Sequence, residues 1–283
     1  MKIVAIGDFH GKFPENLRQA VKREKPDLIL CTGDFPDAGK IRELIFKHWA
    51  EGEWWQNIGL KKARKIEKAC FDSGLKIIKK LDSTGKKIYT VWGNSDFYSD
   101  FEELKKGAPV SAYPGDYDGI VKKSKNIVLI DRKRATENRT EIIGYGGYVD
   151  VTDYIMKPID KTKKKQMARA RRYKKDEKRL EQLFLKKKPL KNFIFLTHYT
   201  PYGIMDKVRL KSSPMHGKHV GWMPYNRIIK KYKPLLCVCG HMHENQGMQK
   251  IGKTLVINAG AACEGKYAVI NTDGRKIKVR FVK

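Results

Sequence analysis

Five short apolar runs in this 283-residue chain each finish on a side chain able to hold a metal ion. They read Ile6-Gly7-Asp8-Phe9-His10, Cys31-Thr32-Gly33-Asp34, Val91-Trp92-Gly93-Asn94, Phe195-Leu196-Thr197-His198 and Cys239-Gly240-His241-Met242-His243. Four of them place glycine directly before the ligand, and glycine tolerates the sharp turn by which a strand end aims a side chain into a shared pocket. Four of the seven histidines sit at these ends; His48, His216 and His219 do not. Asp-x-His or His-x-His alone occurs by chance, but five such ends in order, each after a buried-type strand, do not read as scattered core or surface residues. Seven ligands (Asp8, His10, Asp34, Asn94, His198, His241 and His243) are too many for one tetrahedral ion and suit two ions sharing a carboxylate. Mixed imidazole and carboxylate ligands favour transition metals over magnesium or calcium, with manganese first and iron, zinc, cobalt or nickel as the other choices. Two ions about 3.5–4 Å apart can hold a bridging hydroxide and clamp a phosphoryl oxygen, which is chemistry for phosphoester hydrolysis.

The elements that must position these residues alternate in type. Strands are expected at 2–6, 27–31 and 87–92, with helices at 15–25 (Pro14 in the first turn), 41–49 and 60–81. Further strands are expected at 126–131, 140–145, 193–196, 235–238, 254–258 and 267–271, the last joined by Asp273-Gly274 to a hairpin partner at 276–282. This β-α-β order with near-continuous apolar strands predicts an α/β fold whose sheet is covered by helices on both faces, or by helices and a second sheet. In open α/β sheets ligands bind beyond the carboxyl ends of the strands, so the five ends can meet at one site. One domain is expected over 1–283, with a basic helix or helical hairpin inserted at 157–191, where sixteen basic and four acidic residues fall.

Composition narrows the class. At 41% hydrophobic residues the chain can fill a core, which excludes global disorder. No apolar run approaches the roughly 20 residues of a transmembrane helix, and no signal peptide opens the chain, so a cytoplasmic protein is expected. Lys plus Arg number 60 against 31 Asp plus Glu, a net charge of +29. Such an excess attracts polyanions, and the 157–191 segment is a candidate nucleic-acid contact beside the plainer reading of a solvated charged helix. Five cysteines (Cys31, Cys70, Cys237, Cys239, Cys263) lack metal-type spacing and are expected to be reduced and buried.

Over nearly its whole length, from Gly7-Asp8-Phe9-His10 to Gly240-His241-Met242-His243, the chain resembles the calcineurin-like metallophosphoesterase family. The resemblance implies a two-sheet β-sandwich flanked by helices, with a dinuclear metal site at its edge. It implies that Asp8, His10 and His243 bind one ion, that Asn94, His198 and His241 bind the other, and that Asp34 bridges them. The segments Thr197-His198-Tyr199-Thr200-Pro201 and His219-Val220-Gly221 are similar to those of small archaeal and bacterial members, which makes His219 a candidate phosphate contact. Asn258-Ala259-Gly260 resembles the family's Asn-Pro-Gly turn.

One departure bears on catalysis. Many members carry a histidine after the third-motif asparagine, where it assists the transition state or protonates the leaving oxygen; here the motif is Gly93-Asn94-Ser95-Asp96. Serine is no general acid near neutral pH, and loss of such an acid removes about 10²–10⁴-fold in rate. Activity is then modest, limited to good leaving groups, or rescued by His216 or His219. The expected function is a phosphodiesterase on nucleotide or nucleic-acid-like substrates, with Asn94 and His219 as catalytic groups and Asn94, His219 and Tyr199 contacting substrate. The alternatives are a phosphomonoesterase and a catalytically weak, metal-containing module that binds nucleic acid or protein. Tyr199 and Tyr202 read as pocket walls, whereas Phe97, Tyr98 and Phe101 read as core packing before pocket wall. His48, with Trp49, Trp54 and Trp55, reads as helix packing or a lid.

Overall fold

Alternation along the strands sorts the core into layers. In β1 (Lys2–Ile6), Ile3 and Ala5 face one way and Val4 and Ile6 the other, and all four are fully buried. A strand with two covered faces requires this, because successive side chains point to opposite sides of the sheet. The computed structural model describes residues 1–48, 53–99, 116–151, 163–185, 189, 191–274 and 276–283. In chain order the elements are β1, α1 (Glu15–Glu24), β2 (Leu28–Cys31), α2 (Gly39–Lys47), α3 (Leu60–Asp82), β3 (Ile88–Thr90), α4 (Tyr117–Lys122), β4 (Ile127–Leu129), β5 (Lys133–Glu137) and β6 (Thr140–Tyr145). There follow α5 (Lys163–Leu185), β7 (Ile194–Thr197), α6 (Met223–Tyr232), β8 (Leu236–Cys239), β9 (Gly247–Ile251), β10 (Thr254–Asn258), β11 (Tyr267–Thr272) and β12 (Ile277–Val282).

Two mixed six-stranded sheets result. The first has the order β12-β11-β1-β2-β3-β4, with β1 to β4 parallel and β11 and β12 antiparallel. The second has the order β5-β6-β7-β8-β10-β9, with β6, β7, β8 and β10 parallel. Ile3, Ala5, Leu28 and Leu30 of the first meet Ile194, Leu196, Leu236 and Val238 of the second in the middle of the molecule. Leu17, Phe71, Ile77 and Tyr117 of α1, α3 and α4 cover the outer face of the first sheet. Leu180 and Phe184 of α5, with Tyr225, Ile228 and Ile229 of α6, cover the second. Of the two arrangements open to the sequence, the second sheet is the one found, and the fold is a helix-flanked two-sheet α/β sandwich.

Differences from expectation have local causes. The edge strands β5 and β9 carry polar sequences, Lys-Arg-Ala-Thr-Glu and Gly-Met-Gln-Lys-Ile, and offer no apolar run to mark them. Helix α6 opens on Met223-Pro224, with proline in the first turn, where its missing N–H costs nothing. The expected strand at 87–92 is only three residues of ladder, and Val91 to Asn94 leave the sheet for the site. Phe97 and Tyr98 pack into the first helix–sheet layer; Trp49 and Phe101 lie outside the described residues. Cys237 and Cys239 face the same outer layer as free thiols, and Cys31 and Cys70 are also buried.

Within the basic segment a single helix, α5, is described; residues 157–162, 186–188 and 190 lie outside the description. Part of its charge docks it. Arg169 sits 3.0 Å and Arg172 3.6 Å from the buried Asp150 carboxylate, Glu177 pairs with Arg227 of α6, and Arg134 donates to the Leu183 carbonyl. Phe184 seats the apolar face against the rings of Phe193, Phe195 and Tyr232, with centroids 5.9, 5.6 and 4.8 Å away. Phe184→Ala is expected to cost about 3–5 kcal/mol, since the cavity cannot close among rigid rings. Urea unfolding should show this as a lowered midpoint with an unchanged slope.

Candidate metal centre

The parallel strands β1, β2 and β3 of one sheet and β7 and β8 of the other deliver their following residues to one end of the sandwich. Asp8 and His10 follow β1, Asp34 follows β2, Asn94 follows β3, His198 follows β7, and His241 and His243 follow β8. Among the described residues, Asp8, His10 and His243 form one group whose ligand atoms all lie within 4.8 Å of one another, and Asp34, His198 and His241 form a second. The backbone bends hard to do this. Asp8, His10, Asp34 and His241 have φ of 56°, 42°, 57° and 66°, in the left-handed region that non-glycine residues seldom enter. Two of the preceding glycines are there for room rather than for φ. A Cβ on Gly93 would overlap Asp34 Oδ1, and one on Gly240 would overlap Asp8 Oδ2.

The hydrogen bonds leave one oxygen between the two groups. Asp34 Oδ1 accepts the Ser95 N–H at 2.9 Å. Its Oδ2 stands 3.7 Å from His10 Nε2 and 3.6 Å from His198 Nε2, one nitrogen from each group. Asp8 accepts the His241 N–H through both oxygens at 3.0 and 3.1 Å, and its Oδ1 lies 3.5 Å from His243 Nε2. His198 Nδ1 lies 2.8 Å from the Thr32 carbonyl, which can only accept, so Nδ1 carries the proton and Nε2 presents a lone pair. That lone pair faces Asn94 Oδ1 at 2.9 Å and His241 Nδ1 at 3.2 Å. His10 and His243 bring their Nε2 atoms to 2.9 Å. Acceptors crowd together here with few donors among them, and the imidazole and carboxylate set suits divalent transition ions.

Electrostatics favours the ligating protonation state in Asp8, His10, Asp34 and His241, whereas His243 is raised, burial being outweighed by its bond to Asp8. Burial pulls His10 below the ordinary histidine range, and burial together with the charge of His198 takes His241 down to about 3. Burial acts to raise Asp34, but the neighbouring His198 and His10 outweigh it and hold the carboxyl at about 2. Asp8 is likewise lowered, because the bond from His243 overcomes burial. At neutral pH both carboxylates are ionised and His10 and His241 are neutral, as metal binding demands.

The remaining site residues take different places. Tyr199 is 4% exposed, lies with its ring centroid 4.1 Å from that of His241, and makes no hydrogen bond through its hydroxyl among the described residues. His219 belongs to neither group. Its Nδ1 lies 2.5 Å from Oδ1 of the buried Asp206, and its side chain is 45% exposed. Its neighbour Val220 packs on Met242, between His241 and His243. Tyr202 stands beside His219 with centroids 5.9 Å apart, and His216 is exposed on a turn. Asn258 donates to the Met242 carbonyl at 2.8 Å and accepts from Gly260 N–H at 3.0 Å, so the Asn-Ala-Gly turn props the His241–His243 loop.

Two buried acids escaped sequence reasoning. Asp96 accepts the N–H groups of Gly93, Asp34 and Phe35 at 2.6, 2.9 and 2.8 Å, tying the end of β2 to the end of β3. Asp206 holds Gly203 N–H at 2.8 Å and Gly221 N–H at 2.9 Å as well as His219. Asp96 could have been found as the acid closing the Gly-Asn-x-Asp motif; for Asp206 the only signal is an acid amid basic and apolar neighbours.

Comparison with known proteins places the chain. The sequence model of the family described as "Metallophosphoesterase, calcineurin superfamily" matches residues 1–282. An uncharacterized protein of Methanocaldococcus jannaschii is 26% identical over 263 residues, which cover 91% of this chain and 87% of that protein. One crystal structure, 21% identical, superposes with a TM-score of 0.65 over 99% of this chain and 98% of that one. A dimetal phosphatase from Danio rerio, 12% identical, gives a TM-score of 0.52 over 99% and 95%.

Asp34 is the residue on which the two groups join. Asp34→Ala is expected to lose both ions together, whereas Asp8→Ala should spare part of the second. Metal analysis of the purified variants, read against the fraction that remains folded, checks this; two ions retained in Asp34→Ala would break the assignment.

Proposed function

The chain belongs to the calcineurin superfamily of metallophosphoesterases, and from that premise we propose that it is a dinuclear-metal phosphodiesterase acting on nucleotide or nucleic-acid-like substrates. The observation that carries the reading is Asp34 Oδ2, standing 3.7 and 3.6 Å from imidazole nitrogens of the two groups. Asp8, His10 and His243 would hold one ion, Asn94, His198 and His241 the other, and Asp34 both, with manganese as the first choice of metal. Two such ions, when bound, supply an activated water and neutralise the phosphoryl oxygens. The residues do the rest. Thr32 fixes the tautomer of His198, Asn94 offers its amide N–H to an equatorial oxygen, and Tyr199 offers a hydroxyl with no hydrogen-bond partner among the described residues. Asp206 accepts the Nδ1–H of His219 and so turns Nε2 outward; protonated on both nitrogens, His219 would donate from Nε2 to a phosphate or a leaving oxygen.

A metal-by-substrate screen of the apo protein tests the whole reading. Turnover of bis-p-nitrophenyl phosphate above p-nitrophenyl phosphate is expected. The reverse order would make the protein a monoesterase, and no turnover with any metal would leave a metal-stabilised binding module.

Ser95 stands where many relatives carry an acid, and its N–H already binds Asp34. Ser95→His is expected to raise turnover of alkyl esters, which leave poorly, by about 10²-fold or more while changing aryl esters little. Unchanged rates on both would mean that the proton comes from elsewhere.

Nucleic acid is the polyanion we propose for the basic helix. Lys164, Arg171, Lys175 and Lys178 are exposed and form one stripe of α5, opposite the face that carries Tyr173, Leu180 and Phe184 into the core. Each phosphate neutralised on duplex DNA contributes about 0.9 to the slope of log affinity against log salt. Replacing the four by glutamine should therefore flatten that slope by up to about 3–4. An identical slope would place the basic contact on another surface.

A further inference from the structure

The residue that follows β2 carries a hydroxyl with no partner in the protein. Thr32 is fully buried, and its Oγ1 makes no hydrogen bond among the described residues. Both backbone groups of the same residue are committed. Its N–H goes to the Ile6 carbonyl at 3.0 Å, and its carbonyl takes Nδ1–H of His198 at 2.8 Å. Thr32 therefore ties the end of β1, in one sheet, to the residue after β7 in the other. A buried polar atom without a partner is uncommon and calls for a reason. Packing alone would favour valine, which has the same shape and no hydroxyl to desolvate.

Neighbouring backbone fixes where that hydroxyl stands. A Cβ on Gly7 would fall 1.8 Å from Thr32 Oγ1, and one on Gly240 would fall 2.5 Å from it. Those glycines precede Asp8 and His241, which belong to the two different metal-binding groups. The same point on Gly240 lies 2.3 Å from Asp8 Oδ2, so the hydroxyl and this oxygen are no farther apart than the two lengths laid end to end. The Asp8 oxygens have different surroundings. Oδ1 is the one 3.5 Å from His243 Nε2, inside its own group, whereas Oδ2 lies on the side of Gly240 and Thr32. Oδ2 accepts the His241 N–H at 3.1 Å, a proton it shares with Oδ1. A carboxylate oxygen can accept more than this, so Oδ2 has a lone pair to spare and Thr32 has a donor to give.

Resting on the two-ion reading of the same centre, we propose that Thr32 is a positioning residue, whose hydroxyl donates to Oδ2 of Asp8 when Asp8 ligates an ion through Oδ1. Carboxylates that hold metal ions are themselves held by hydrogen bonds, which fix their direction. One residue then serves both halves of the centre, through its hydroxyl at Asp8 and through its carbonyl at His198.

Metal affinity, read without turnover, tests this. Manganese(II) is titrated calorimetrically into the metal-free full chain as wild type, Thr32→Val, Thr32→Ser, Asp8→Ala and the double variant Asp8→Ala with Thr32→Val. Thr32→Val should weaken one of the two ions by about 10- to 100-fold, the usual effect of removing the partner of a ligand. The other ion should bind as before, because the bond to His198 uses the backbone carbonyl. Thr32→Ser keeps the hydroxyl and should keep both affinities. On the Asp8→Ala background Thr32→Val should make no further difference, which a general loosening of the fold would not reproduce. Without metal, Thr32→Val should melt no lower than the wild type, since only an unpaired polar atom is removed. Both ions held as in the wild type, both weakened alike, a serine variant as weak as the valine one, or a valine variant that does not fold would each overturn the proposal. A wild type that takes up fewer than two ions would overturn the two-ion reading and this proposal with it, whereas the other failures leave that reading standing.

Discussion

Lone pairs of two carboxylates and several imidazoles are brought to a common point where the protein itself supplies few donors to separate them. His198 Nε2 has Asn94 Oδ1 at 2.9 Å and His241 Nδ1 at 3.2 Å, and Asp8 and Asp34 are 0% and 2% exposed. A water-filled surface could not hold such an arrangement, and an unpaired buried charge would not persist. The backbone adds to the cost. Four of these residues sit at positive φ, and each such residue costs on the order of 1–3 kcal/mol. Together that is comparable to the whole net stability of about 5–15 kcal/mol for an ordinary domain. The geometry survives only because the surrounding sandwich over-determines it.

That over-determination has identifiable parts. Strands with both faces covered cannot slide, because a one-residue slip would turn every side chain to the wrong layer. At the strand ends, where ladder hydrogen bonds stop, buried side chains take over. Asp96 collects three N–H groups from two strand ends, Asp8 takes the His241 N–H, and Asn258 takes the Met242 carbonyl. Glycines at 93 and 240 let backbone approach carboxylate at distances no Cβ would allow. Ligand placement thus rests on polar staples one step back from the centre.

The strands and their ends were legible because the two signals coincide in sequence: a buried strand is an apolar run, and its carboxyl end is the next residue. β1, β6 and β10 were expected at the bounds where they occur, and β2 and β7 within a residue. What sequence did not reveal depends on contacts across the chain. The polar edge strands β5 and β9 are strands only because a partner pairs with them. Asp206 and His219, thirteen residues apart, meet through a loop whose path no periodicity records. The glycine–ligand pairs were noticed for their turning freedom, yet at Gly93 and Gly240 it is the lack of volume that matters.

The basic helix ties these observations together. Read as composition, its charge invites a polyanion; read as structure, the charge divides by helical face. Arg169 and Arg172 reach back to Asp150, in the loop after β6, while Lys164, Arg171, Lys175 and Lys178 look outward. The inward arginines satisfy a carboxylate that is 1% exposed, and removing a partner from so buried an acid is far costlier than removing a surface charge. The helix is therefore anchored to the loop after β6 through Asp150, whatever its outer stripe contacts. Helix α5, which falls between β6 and β7 in the chain, thus divides its charge between holding Asp150 and facing outward.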